Sequence, residues 1–196
     1  AATNGGFAVI VLVSDTFLIK QYANGAVTSL QGSISVTSSI PSSVVGTNLA
    51  DIAYLNRVDQ VPVYMANGGS SFAALPNWPS THRTESLRAY GDFLIALNTV
   101  ENGTNFPSRV RFSNLTLANS VPDSWDATDT TKSAGFNDLV QMKTGIVDGL
   151  TLGTNFIIYS KDQVWLMEFV GGTFIHNFRK LFSDCGVINQ NCIAEV

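Results

Sequence analysis

Two runs of alternating side chains meet at a Gly-Gly pair in VWLMEFVGGTFIHNFRKLF, residues 164–182. Glycine takes positive φ without a Cβ clash, so a two-residue Gly-Gly link is suited to closing two antiparallel strands into a hairpin. Folding at Gly171-Gly172 sets Val170 opposite Thr173, Phe169 opposite Phe174, Met167 opposite His176 and Trp165 opposite Phe178. Successive side chains of a strand point to opposite faces. One face therefore collects Trp165, Met167, Phe169, Phe174, His176 and Phe178, while Leu166, Glu168, Ile175, Asn177 and Arg179 share the other. The ring-rich face reads as a buried sheet face, with His176 a hydrogen-bonded core residue. A stacking platform for bases or sugars is the weaker reading, because no flanking basic groups support it.

The same turn chemistry recurs along the chain. Asn-Gly occurs at Asn4-Gly5, Asn24-Gly25, Asn67-Gly68 and Asn102-Gly103, and all but the first lie between apolar runs. That pattern is a strong short-range hairpin signal. Strands are expected at Phe7–Val13, Thr16–Tyr22, Ala26–Leu30, Gln60–Met65, Ser71–Leu75, Phe93–Thr99, Ser108–Phe112, Asn155–Tyr159, Val164–Val170 and Thr173–Lys180. No window of eleven or more residues keeps a helical period, and Asp138–Lys143 fits one helical turn or an edge strand. The hairpins also repeat. Asp15, Asp59 and Asp162 are each followed ten positions later by glycine, at Gly25, Gly69 and Gly172, and Asp-Gln-Val occurs at both 59–61 and 162–164. The first spacing is 59 − 15 = 44, within the roughly 40–45 residues of a four-stranded propeller blade. The second is 162 − 59 = 103, which fits two such units and an insertion. The fold expected is all-β, with β-propeller-like blades of antiparallel hairpins and loop insertions. Residues 1–58 would form a first blade-like unit with a linker, and 59–196 further blades. The polar, aperiodic stretch 114–132 is the insertion, and Ile40–Asn48 reads as a shorter loop.

With 196 residues the chain is long enough to bury a real core. Only 13% of residues are charged, against about a quarter in ordinary soluble chains. A surface so poor in charge suits a subunit covered by its neighbours. The net charge of −4 gives no nucleic-acid footprint. No apolar run approaches the ~20 residues of a membrane-spanning helix, so no membrane insertion is expected of this segment. FAVIVLV is strand-sized and follows no charged region or cleavage site. The chain starts close to a strand and stops in an apolar run, which reads as a piece of a longer polypeptide. Cys185 and Cys192 lack partners at metal-ligand spacing. Buried thiols are the expectation, ahead of a disulfide.

Chemistry-bearing motifs are sparse. Asp123, Asp126 and Asp129 sit three apart in the insertion, where turn capping is a better account than a calcium site. GxSxG, HExxH and P-loop patterns are absent, so neither catalytic residues, nor a metal, nor a cofactor is expected. His82 follows a Pro-rich turn and reads as exposed. His82, Arg83 and Arg88 flank Glu85, while Arg109 and Arg111 share one strand face and read as solvated or intersubunit ion pairs rather than phosphate contacts. Asn102-Gly103-Thr104 and Asn114-Leu115-Thr116 match glycosylation sequons, which matter only in a secreted eukaryotic chain.

Five segments in order carry a resemblance: VPVYMANGGSSFAALPNWP, SLRAYGDFLIALNTVENGTNFPSRVRFSN, VPDSWDATD, IVDGLTLGTNFIIYSKDQVWLMEFVGGTF and LFSDCGVINQNCIAEV. From about Asp59 to Val196 the chain resembles the tail tube, or nozzle, virion structural proteins of short-tailed bacteriophages. The resemblance implies a propeller-bearing, non-enzymatic subunit in a homo-oligomeric ring of six copies, seated below the adaptor on the portal. The channel of that ring would conduct DNA during ejection without reading its sequence. An acidic balance suits that role, since carboxylates repel phosphates. Glu101, Asp123, Asp126 and Asp129, with Trp125, are the candidate lumen or interface loop residues. The alternative is a tail-associated propeller that binds a glycan or receptor, for which Trp78 and Trp125 are the loop aromatics. The turn around Trp78, Pro76-Asn77-Trp78-Pro79, also suits an indole plugging a seam between blades.

Overall fold

The computed structural model describes residues 7–13, 16–23, 26–32, 44–172 and 174–194. Among them are fifteen strands and no helix. Strands β1 (Phe7–Val13), β2 (Thr16–Ala23) and β3 (Ala26–Ser29) form a three-stranded antiparallel sheet. Three four-stranded antiparallel sheets follow, each in chain order. The second sheet holds β4 (Val44–Leu49), β5 (Ile52–Arg57), β6 (Val63–Met65) and β7 (Ala73–Ala74). The third holds β8 (Arg83–Tyr90), β9 (Phe93–Glu101), β10 (Thr104–Phe112) and β11 (Gly135–Asp138). The fourth holds β12 (Ile146–Leu152), β13 (Asn155–Ser160), β14 (Gln163–Phe169) and β15 (His176–Ser183). The chain is thus all-β, and its sheets are propeller-like blades built from antiparallel hairpins. The first strands of consecutive sheets lie beside one another, β4 against β8 and β8 against β12.

Strand β9 shows why the sheets stack. Its side chains alternate, and both sets are apolar. Leu94 and Ala96 pack toward the second sheet with Ile52, Tyr54, Leu87 and Trp78. Ile95 and Leu97 pack toward the fourth with Ile146, Phe156, Ile158 and Met167. A strand covered on both faces reads as a continuous apolar run, as FLIAL does. Burying one such side chain fully contributes about 1.5–3 kcal/mol. Trp78 packs edge-on against Trp125 with ring centroids 4.7 Å apart, and the pair fills the seam between the second and third sheets.

The repeat has a structural basis. Asp59 and Asp162 both lie in the turn between the second and third strands of their sheets, and Gly69 and Gly172 both follow the third strand. One whole sheet lies between the two units. The extra length is the β10–β11 connection, which contains the polar stretch 114–132.

Other expectations need correction. The 164–182 hairpin exists, but its register differs by two residues: Phe169 pairs with His176 and Met167 with Phe178. The loop is longer because Val170 and Gly171 both donate to the Ile175 carbonyl, at 3.0 and 3.2 Å. A shift of two keeps the paired side chains on their faces, so Trp165, Met167, His176 and Phe178 still face the core, whereas Ile175, expected on the opposite face, lies in the loop and packs against that core. Phe174 is left in the loop, 78% exposed. Strands β4, β5, β8, β11 and β12 were not among those expected, and β4 replaces the whole described part of the Ile40–Asn48 loop. Only Asp138 of 138–143 belongs to a strand, and the rest is a turn. Residue 58 lies between the paired strands β5 and β6, so a division there falls inside a sheet. Cys185 and Cys192 are exposed free thiols rather than buried ones. His82 is buried against Trp78, because the Pro79–His82 turn folds back onto that indole. Asn4-Gly5, Asn24-Gly25, Asp15, Thr173 and residues 40–43 lie outside the described residues.

Candidate functional site

Strand β10 places Arg109 and Arg111 two apart, on one face. They are only 7% and 6% exposed. Glu101, at the end of β9, accepts two bonds from Arg111 at 2.8 Å each and one from Arg109 at 2.9 Å. Thr99 Oγ1 donates to the same carboxylate at 2.8 Å. Arg109 also makes a two-bond fork to Asp138, its register partner on β11, at 2.8 Å. Its guanidinium lies between the Phe106 and Phe136 rings, 3.7 and 3.9 Å from their centroids. Two cations meet two anions, so the cluster is neutral overall. The acids that pair Arg109 and Arg111 therefore come from this chain, not from a neighbouring subunit. Glu101 is no loop acid free to line a channel. Burial by itself would raise its pKa, but the bonds from Arg111 and Thr99 and the charges of Arg111 and Arg109 hold it down to about 2.

The insertion docks on this cluster. Arg111 donates to the Trp125 carbonyl at 2.9 Å, and the indole is 2% exposed. Asn119 N reaches the Ala50 carbonyl of the β4–β5 turn, and Thr116 N the Asp92 carbonyl of the β8–β9 turn. Both Trp78 and Trp125 are thus core residues rather than a sugar platform. The acids of the loop stay outside. Asp126 is exposed and Asp129 half-buried, and both cap their own turns, each accepting from the backbone and hydroxyl of the threonine two residues on, Thr128 and Thr131. Those bonds lower both carboxyl pKa values. Asp123 pairs with Lys132 at 2.6 Å and accepts from Asn114 at 2.7 Å. Among the described residues, no group of three or more His, Cys, Asp or Glu is placed to hold a metal ion. No described helix is long and apolar enough to cross a membrane.

A second polar cluster joins the first strands. Asp148 of β12 is fully buried and accepts from Ser86 Oγ and the Arg88 guanidinium of β8, from its neighbour Gly149 N, and from Asn191 N. Burial pushes its pKa up, but bonds from Arg88 and Ser86 outweigh that and leave it lowered. The sequence reading placed Arg88 beside Glu85 and overlooked Asp148. Its only sequence signal was an acid amid the apolar run IVDGL.

A third feature is a cleft of about 540 Å³ between the outer strands of the last two sheets. The insertion (Asp129, Thr130, Lys132) and β11 (Phe136, Asn137) form one side, and the β14–β15 hairpin (Phe174, His176, Phe178) the other. His176 is 7% exposed, and neither ring nitrogen has a hydrogen-bond partner. Burial lowers its pKa to about 4. It is the core histidine expected, but not a satisfied one. The hairpin signature is therefore divided: Trp165 and Met167 are buried core, Phe169 and Phe174 are largely exposed, and Gly171 and Gly172 take positive φ in the loop. No family model and no curated protein matches this chain.

Proposed function

We propose that this chain is a structural protomer of a short-tailed phage tail tube, or nozzle. In this reading it is a non-enzymatic component of the virion tail, assembled as a ring of six copies below the adaptor on the portal. DNA passes through the channel during ejection without sequence-specific contact. The observation that supports the reading most is the run of blade-like sheets over 44–183, since the segments that carry the family resemblance fall almost wholly within it. Asp126, exposed, and Asp129, half-buried, both with lowered pKa values, offer a negative loop surface to which phosphate does not adhere.

The test is the mass of the native particle by light scattering, followed by negative-stain imaging of the particle and of virions labelled with an antibody to the chain. A ring with an axial opening and label at the tail is the expected result. A monomer whose antibody leaves the tail unlabelled rejects the proposal.

A further inference from the structure

We propose that the cleft between β11 and β15 binds a neutral sugar ring, with His176 as its buried hydrogen-bonding group. The inference stands apart from the nozzle reading and rests on the cleft alone. Imidazole in its neutral form carries one N–H donor and one bare nitrogen acceptor. In folded proteins nearly all buried polar groups find a partner, yet both nitrogens of His176 lack one. The N–H can rest against the face of Phe93 or Phe112, whose planes lie at 73° and 71° to the imidazole with centroids 4.9 and 4.6 Å away. The bare nitrogen has no such recourse, because aromatic rings supply no donor for it. Among the described residues, the Tyr90 hydroxyl beside the ring is already used: it donates to the Thr154 carbonyl and accepts from Phe169 N, both at 2.9 Å, and Thr130, which lines the cleft, makes no bond to the imidazole. What the site lacks is an incoming hydroxyl.

The walls narrow the ligand further. Phe112, Phe136, Phe174 and Phe178 line the cleft, and an aromatic lining suits the C–H face of a pyranose. Lys132 is already paired with Asp123, and Asp129 adds negative charge, so an anionic ligand is disfavoured. Asp129 and Asn137 stand on the rim for further hydroxyls. A volume of about 540 Å³ falls among small-molecule clefts, which span ~300–1,000 Å³. The His176 nitrogens are covered in the unliganded chain, so a ligand reaches them only when the cleft lining yields, and Phe174 is the most exposed of the four phenylalanine rings of that lining.

The chain has two histidines, so ring ¹⁵N spectra of the histidine-labelled protein read the site directly, with His82 as internal control. The panel is glucose, galactose, mannose, rhamnose, N-acetylglucosamine and their short oligomers, with phenol and cyclohexanol as non-sugar ring alcohols. At least one saccharide should shift the His176 resonances saturably and leave His82 unmoved. Phe174→Ser, outside the core, should weaken that response about tenfold. His176→Phe should keep the fold and abolish binding, read by calorimetry with the same saccharide. The proposal is overturned if no saccharide moves His176, if phenol or cyclohexanol moves it as strongly as the best sugar, or if Phe174→Ser binds as wild type does.

Discussion

Glu101 is the residue on which two buried cations depend. Replacing it by glutamine leaves Arg109 with Asp138 and Arg111 with no carboxylate at all. Removing one partner of a buried pair costs about 3–5 kcal/mol, because the remaining charge stays desolvated. Glu101→Gln should lower the unfolding free energy by roughly that amount in urea titrations at pH 7. The sign of its pH dependence follows from the depressed pKa. The carboxylate contributes fully above its unfolded value of 4.5 and loses that contribution as pH falls toward about 2. The stability difference between wild type and Glu101→Gln should therefore close across that window. His176 acts in a different range. Its pKa is lowered by burial from 6.5 to about 4, so the unfolded chain takes up the proton first. Stability tied to the neutral ring is complete above 6.5 and falls as pH drops toward 4, by roughly 3 kcal/mol for a shift of this size. His176→Phe fills the same aromatic site without orphaned nitrogens. It should be at least as stable as wild type at pH 7 and should lose this decline between pH 6.5 and 5. A marked loss of stability at pH 7 would mean that the imidazole is satisfied after all.

At the scale of the element, Gly149 in β12 is set by space. A Cβ there would stand 2.6 Å from the Phe156 ring and 3.0 Å from Leu97 Cδ1. Phe156 is fully buried between the third and fourth sheets and has little room to retreat. Gly149→Ala should cost about 1–3 kcal/mol, as overpacking does, and the denaturation midpoint will show it. That glycine also hid the strand from a reading of the sequence. In IVDGLTL the interior positions Asp148 and Gly149 are poor strand formers, and the tertiary contacts that override propensity leave no mark on local sequence. Strand β8 was hidden for a related reason: its buried positions include Thr84 and Ser86, whose hydroxyls bond to carbonyls and to Asp148. The hairpin β14–β15 was legible because alternation of large apolar residues is a local signal. Its register was not, since the loop bonds to the Ile175 carbonyl cannot be read from Gly-Gly. In the same way, Arg109 and Arg111 were visible as a same-face pair, while Glu101 was read as a loop acid and a candidate for the lumen.

For the whole molecule, the question is what makes three stacked sheets unfold as one. Apolar seams supply most of the adhesion, but they leave the first strands joined through polar groups. The run after β15 crosses those strands. Val187 N donates to the Ser160 carbonyl at 2.9 Å, and Gln190 Nε2 to the Glu85 carbonyl and carboxylate. Asn191 touches all three sheets: its side-chain amide donates to the Val44 carbonyl at 3.0 Å, its side-chain oxygen accepts from Arg88 at 3.0 Å, and its backbone N–H donates to Asp148 at 3.0 Å. Arg88 in turn reaches the Gly46 carbonyl of β4 at 3.2 Å. Members of one network couple by about 0.5–3 kcal/mol in double-mutant cycles, whereas distant sites add. Asn191→Ala alone should cost about 0.5–1.5 kcal/mol through its two lost side-chain hydrogen bonds, since Arg88 keeps Asp148 and the Gly46 carbonyl. Combined with Asp148→Asn, it should cost less than the sum of the two single changes, because the Arg88 guanidinium is common to both. Tryptophan placement lets one experiment read the seams separately, since Trp78 and Trp125 report on the second and third sheets and Trp165 on the third and fourth. In the wild type both signals should change at one urea concentration. In Asn191→Ala they should separate, with one seam opening before the other. Additive energies and coincident transitions would instead make the C-terminal run a passive cover, and the cooperativity of the sheets would then rest on their apolar seams alone.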